Sequence, residues 1–334
     1  MKIVVLYNLD PSWDKTEIRD ARKSNRVLYE ALKSEGVEAY LEELNNHHIE
    51  RILNRYNPED TIIFNLCETL PGIPHSEKRV VQTIENFGFT FTGNTPEMLD
   101  LSYDKFRVKE ILASLGIRVP KGAILSPEEA HTWNLFPAIV KPSHEHCSLT
   151  ISEKSVVYDI SSLRDQITLV NNELKQPALV EDFIDGREFF VPVWNNDPPE
   201  ILPVVEMNYS NFSEARKRLC TYESKFVPGS EHYEKIETIV PAPLPAKPQR
   251  KLEKTALKVW EGFGCLDYAR LDFRLRDDEF YLLDINPNND ISFNASFALS
   301  AEMTGCSYSQ LVKRIVMMAS ERHPVFAEKV LAIA

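Results

Sequence analysis

The segment from Asp267 to Asp290, DYARLDFRLRDDEFYLLDINPNND, constrains the fold more than any other part of the chain. Apolar and charged residues alternate at period two, the pattern of strands that lay one face on a core. Alternation sets Arg270, Asp272 and Arg274 on one face of the first strand, and Asp284 and Asn286 on one face of the second. A three-residue loop, Asp277 to Glu279, then places Asp272 opposite Asp284 and Arg270 opposite Asn286. An acidic residue on a strand faces water by default. Asp284 departs from that default because it follows the apolar FYLL and precedes Ile285, where burial without a cation or a donor is costly. Two carboxylates and an amide on one surface are hard oxygen donors, the set that Mg²⁺ takes while sharing its shell with substrate phosphates.

The rest of the chain supplies domains around this hairpin. With 334 residues, 43% of them hydrophobic, it has material for two or three cores. KIVVLYN reads as a buried strand, and Arg22 to Ser34 has helical spacing at Val27, Leu28, Ala31 and Leu32 before Gly36. VEAYLEEL and TIIFNLC are further strands, so residues 1–97 form an α/β domain with a parallel sheet covered on both faces. It ends where Gly93, Asn94 and Pro96 break the pattern. Residues 98–177 form a central unit with antiparallel strands, opened by the helix DKFRVKEILASLG. Residues 178–322 form a third, α+β unit, in which ALVEDFI and EFFVPVW flank Asp185-Gly186 as a hairpin. From Asn208 to Pro245 the chain lacks periodicity, and a mobile functional loop is expected at about 208–229.

Composition excludes several classes of function. Fifty acidic residues against 38 basic ones leave a net charge of -12, which argues against a nucleic-acid partner. No stretch nears eighteen apolar residues and no secretory leader is read at the start, so no membrane partner and a cytoplasmic setting are expected. The five cysteines, at 67, 147, 220, 265 and 306, lie far apart without a Cys-x-x-Cys and read as reduced thiols.

In PAIVKPSHEHCSLTIS, Lys141 is held between an apolar strand and a proline, which stiffens the chain that carries it. His144 and His146 alternate, but without a third ligand nearby they read as locally bonded side chains.

One ordered set carries a resemblance: Lys105 in SYDKFRVKEIL, Lys141 in AIVKPS, LVEDFIDGREFFV, Lys225 in TYESKF, then ARLDF and YLLDINPN. It resembles the ATP-grasp fold, and more narrowly the D-alanine–D-alanine ligase family, from roughly Lys2 to Leu311. The resemblance implies an α/β chain with an N-terminal parallel domain and two further domains whose antiparallel sheets clamp ATP. It implies that Lys105, Lys141 and Ser148 bind the nucleotide on its phosphate side, that Glu181 and the backbone near Phe183 and Ile184 hold adenine, and that Glu188 holds the ribose. Lys225 would close over the γ-phosphate, Asp272, Asp284 and Asn286 would bind two Mg²⁺ (or Mn²⁺), and Arg270 would steady developing negative charge. Glu17 and FNLCETLPG stand where the family places substrate-side residues.

The implied activity is ATP-dependent joining of a carboxylate and an amine, on small amino-acid-like substrates, through an acyl phosphate. Family habit adds a homodimer through the first domain. Two alternatives stay open: transfer of the acyl group to a thiol or carrier, and nucleotide binding without ligation, against which the complete Lys, Asp, Asp, Asn set argues. Departures bear on specificity. Cys147 and Phe226 stand where the family has a serine and a tyrosine beside its N-terminal glutamate, and Asp290 where it usually has a glycine. At least one substrate is therefore expected to differ from D-alanine.

Overall fold

A computed structural model describes residues 1–145, 151–221, 223–224, 227 and 229–327. The first apolar run forms β1 (Lys2–Asn8), joined in parallel by β2 (Glu38–Leu44), β3 (Thr61–Leu66) and β4 (Thr90–Phe91) in the order β2-β1-β3-β4. From Ile3 to Asn8 every residue of β1 is buried, as a parallel strand covered on both faces requires. One cover packs Val80, Val81 and Ile84 against Val4 and Leu6. The other packs Leu28 and Leu32 against Ile3 and Val5, with Leu311, Ile315 and Ala319 from the far end of the chain in the same core. The helix Tyr308–Ser320 thus seals the first domain.

The helix expected over Arg22 to Ser34 begins earlier, at Lys15. Asp14 accepts from the amides of Thr16 and Glu17, and the Glu17 carboxylate accepts from the Asp14 amide at 2.7 Å, so the orphan donors of the first turn are satisfied without an apolar residue.

The central sheet has the order β5-β8-β6-β7, from β5 (Gly122–Leu125), β6 (Ala138–Pro142), β7 (Val156–Val157) and β8 (Ala178–Asp182), antiparallel throughout. The third sheet runs β12-β11-β9-β13-β14, with β10 on β9. Its strands are β9 (Arg187–Trp194), β10 (Glu200–Ile201), β11 (Val205–Asn208), β12 (Glu237–Ile239), β13 (Tyr268–Arg276) and β14 (Glu279–Asn286). The expected hairpin about Asp185-Gly186 is therefore not one: β8 closes the central sheet past residue 177, and β9 opens the next. Gly186 makes the crossing possible, because a Cβ there would stand 2.0 Å from the Leu275 carbonyl oxygen.

β13 and β14 do place Arg270 opposite Asn286 and Asp272 opposite Asp284. The three-residue loop expected between them is instead a two-residue turn, Asp277-Asp278, with both residues at positive φ, and the extra residue appears farther along as a bulge. Phe273 pairs with Leu282 while Asp272 pairs with Asp284, so Leu283 is the inserted residue. A bulge re-aims every side chain beyond it. Here it turns Asp284 and Asn286 to the face of Asp272.

The first domain is keyed to the start of β13. The Gly93 amide donates to Asp267 at 2.8 Å, the Asn94 side chain donates to the Tyr268 carbonyl at 2.9 Å, and Arg322 forks the same buried Asp267. Among the described residues, no helix is long and apolar enough to cross a membrane.

Candidate active site

A cleft opens between the central sheet and the third sheet, and Lys105, Lys141, Glu181, Phe183, Ile184, Glu188, Asp272 and Asp284 line it. Six of them come from as many elements, the helix Lys105–Ser114 and β6, β8, β9, β13 and β14, and Phe183 and Ile184 come from the crossover between β8 and β9. Lys105 stands at the first position of the helix Lys105–Ser114, which Asp104 caps by accepting from the Arg107 amide at 2.9 Å. Lys141 is carried by β6, and Glu181 faces it from the neighbouring β8.

Glu181 is fully buried. Lys141 donates to its Oε2 at 2.9 Å, and Lys109 Nζ lies 2.9 Å from its Oε1. Burial opposes the charged carboxylate, but the two lysines more than offset it and hold Glu181 below its ordinary pKa. Lys109, which sequence reading did not single out, also donates to the Leu283 carbonyl at 2.9 Å. One buried ammonium therefore ties β8 to the bulge of β14. Its signal was present, since Lys105 and Lys109 are four apart and share a helix face.

Around the apolar end of the cleft, the chain leaves β8 with the Phe183 amide donating to the Pro137 carbonyl at 3.0 Å, while Arg276 forks Asp182 at 3.0 and 2.6 Å. Glu188 is met by Arg274, at 2.8 Å from Nε, and by the Tyr209 hydroxyl at 3.1 Å.

At the other end, Arg270 forks Asp272 at 2.7 and 2.9 Å, and Lys105 donates to Asp284. Asn286 spends its amide nitrogen on Asp272 at 3.0 Å and on the Arg270 carbonyl at 3.2 Å, which leaves its oxygen as the donor for a cation. Burial first, and then the charges of Asp284 and Glu188, raise Asp272 against the pull of Arg270. Two carboxylates and an amide oxygen, crowded enough to take up a lysine and an arginine, fit a divalent cation.

Glu17 caps its helix and does not line the cleft. His144 bonds locally, to the Ser143 hydroxyl at 2.6 Å. Asp290 accepts from the Ser292 amide at 2.8 Å and from its hydroxyl, so its carboxylate holds the turn after β14. His146, Cys147, Ser148, Lys225 and Phe226, also singled out from the sequence, lie outside the described residues. Of the loop expected at 208–229, Tyr209 and Phe212 are buried.

On the side facing the first domain, Asn288 donates to the buried Glu77 at 3.0 Å. Burial, with Glu68 beside it, pushes the Glu77 carboxyl up to about 8. The folded protein then keeps a proton that the unfolded chain releases above its ordinary value of 4.5, so stability falls as pH rises between these two values. Glu77→Gln removes that slope: the variant's melting temperature changes less than the parent's between about pH 5 and about pH 8, and exceeds it at the upper end. A variant with the parent's full slope would show that Glu77 does not carry it.

A family model described as "D-ala D-ala ligase C-terminus" matches residues 120–317. An uncharacterized protein of Sinorhizobium fredii, y4sG, is 30% identical over 279 residues, 81% of this chain and 80% of that one. A D-alanine–D-alanine ligase of Syntrophotalea carbinolica is 30% identical over 236 residues, 70% of this chain and 71% of its own. The crystal structure of the D-alanine–D-alanine ligase from Bacillus anthracis complexed with ATP shares the fold, with a TM-score of 0.74 at 19% identity over 97% of this chain and 98% of that one. The profile match takes in the whole of β6 to β14, the strands that carry most of the cleft, and on it this chain belongs to the D-alanine–D-alanine ligase family.

Proposed function

We propose that this protein activates the carboxylate of one small amino-acid-like substrate with ATP and joins it to the amine of another, releasing ADP and phosphate. The observation that carries this reading is the meeting of Lys105, Arg270, Asp272, Asp284 and Asn286 at one end of a cleft whose other end is apolar. Phe183 and Ile184 offer adenine its apolar walls, Glu181 and Glu188 offer acceptors to the base and ribose, and Lys105 and Lys141 reach the phosphates.

A carboxylate oxygen is a poor leaving group, and phosphorylation makes it a good one. Lysines neutralise the transferring phosphoryl group, and Arg270, 13% exposed beside Asp272, is placed to stabilise the oxyanion that forms when the amine attacks. Mg²⁺ or Mn²⁺, held by Asp272, Asp284 and Asn286, supplies charge neutralisation at the phosphates when bound. For that, Lys105 must leave Asp284 for a phosphate, an exchange of one anionic partner for another. Glu17, Ser148 and Lys225 belong to this reading as substrate-side and phosphate-side groups, and a cytoplasmic homodimer completes it.

The substrates include at least one other than D-alanine. Asp290 supports this, since its charge adds to burial in raising Glu68 and Tyr308 nearby, and the same charge disfavours a second substrate's carboxylate. Phosphate release from ATP, screened over pairs of amino acids and amines, tests the proposal. The highest kcat/KM is expected with a pair other than two D-alanines. A kcat/KM with D-alanine alone as high as with any pair would overturn the specificity, and the absence of substrate-dependent ADP formation would overturn the ligase reading.

A further inference from the structure

Arg274 lines the cleft with every nitrogen of its guanidinium engaged. It stands on β13, two residues beyond Asp272, and is 3% exposed. Its Nε donates to Glu188 Oε2 at 2.8 Å, one terminal nitrogen donates to the Ile184 carbonyl at 2.9 Å, and the other donates to the Arg218 carbonyl. The Phe183 and Tyr209 rings lie 5.1 and 5.5 Å from the guanidinium carbon. Tyr209 also reaches Glu188 Oε2, at 3.1 Å, so these bonds converge on one carboxylate oxygen. Arg218 in turn forks Asp185 at 3.1 Å to each oxygen, next to Ile184.

A buried guanidinium is tolerated only when its donors are met, and here the acceptors come from three separate segments: the crossover after β8, the start of β9, and the stretch from Tyr209 to Arg218. Phe183, Ile184 and Glu188, the groups read above as the nucleoside's partners, are thereby oriented by one side chain. Lys105 and Lys141, on the phosphate side, have no contact with it among the bonds described.

We infer that Arg274 is a positioning residue that shapes the nucleoside half of the cleft, by fixing the Phe183 ring, the Ile184 carbonyl and the Glu188 carboxylate as one unit. This rests on the reading of the cleft as an ATP site. A planar fork with three directed acceptors is not reproduced by a lysine, whose charge is a point and whose donors rotate.

Binding of adenosine, and separately of inorganic tripolyphosphate, is measured by calorimetry for the parent and for Arg274→Lys. The expected result is a loss of adenosine affinity of roughly tenfold or more, with tripolyphosphate affinity held within about twofold. KM for ATP rises in parallel while kcat stays within a few-fold. Tyr209→Phe, which keeps the ring and removes one bond to Glu188, serves if Arg274→Lys does not fold. Its adenosine affinity falls about two- to tenfold and its tripolyphosphate affinity is unchanged. Equal losses for both ligands, or no loss for adenosine, in a variant that unfolds at the parent's temperature would overturn the inference alone. A parent that binds neither ligand would overturn the nucleotide reading beneath it.

Discussion

Asp284→Asn folds as the parent does and loses about a hundredfold or more of its metal-dependent turnover. Asparagine keeps the size of the side chain, and Asp284 is 28% exposed, so packing changes little. What disappears is one of the two carboxylate charges set face to face by β13 and β14. A divalent cation held by these residues would depend on that charge for its affinity and on the second carboxylate for its place. The same change deprives Lys105 of its anionic partner, so the free protein is also altered electrostatically, and the affinity for Mn²⁺ falls along with kcat. Steady-state kinetics at saturating Mg²⁺, with thermal unfolding as the control, decide the matter. Turnover within a few-fold of the parent would remove Asp284 from the metal site.

Glu181→Gln destabilises the protein by about 3–5 kcal/mol, the largest stability effect expected from a single substitution in the cleft. The carboxylate is 0% exposed and stands between Lys109 and Lys141, whose side chains are 8% and 18% exposed. Removing the shared anion leaves two ammoniums close together with little water to solvate them. Burial already lowers the pKa of Lys109, a sign that its charge is costly at this position. Glu181→Gln with Lys109→Met removes one charge of each sign, and the double variant regains part of the loss. Because the folded carboxyl has a lowered pKa, its contribution is complete above the ordinary value of 4.5 and is lost only as pH falls through the lower, folded value. Urea unfolding near neutral pH measures the effect. A midpoint that corresponds to less than about 1 kcal/mol of loss would show that the lysines are solvated well enough without it.

Which parts of the site were legible in the sequence follows from how local the physics is. Side-chain direction along a strand depends only on parity, so Arg270, Asp272, Asp284 and Asn286 could be assigned their faces from RLDFRLR and YLLDIN alone. The opposition of Asp272 and Asp284 was reached through a three-residue loop that the protein does not have; a two-residue turn and a bulge at Leu283 add up to the same register. Where an extra residue sits is decided by what the strand packs against. Here the Leu283 carbonyl meets Lys109 from another part of the chain, and no local pattern reports that.

Sheet membership was the least legible feature. ALVED and REFFVPVW each read clearly as strands, and a turn-like Asp-Gly between them suggested a pair. The split between two sheets follows from partners 36 to 88 residues away, Ala138–Pro142 for β8 and Tyr268–Arg276 for β9. Lys109 and Arg274 were visible as charged residues on the correct faces, yet their meaning lies in acceptors from β8, β14, the crossover and the stretch after β11. By itself the sequence determined the element types, the faces of the strands and the residue kinds available for chemistry, since each depends on the backbone period and on hydration of single side chains. Only the tertiary structure decided which sheet a strand joins, where the bulge falls and which buried charges share a partner, because these depend on desolvation and contacts between segments far apart along the chain.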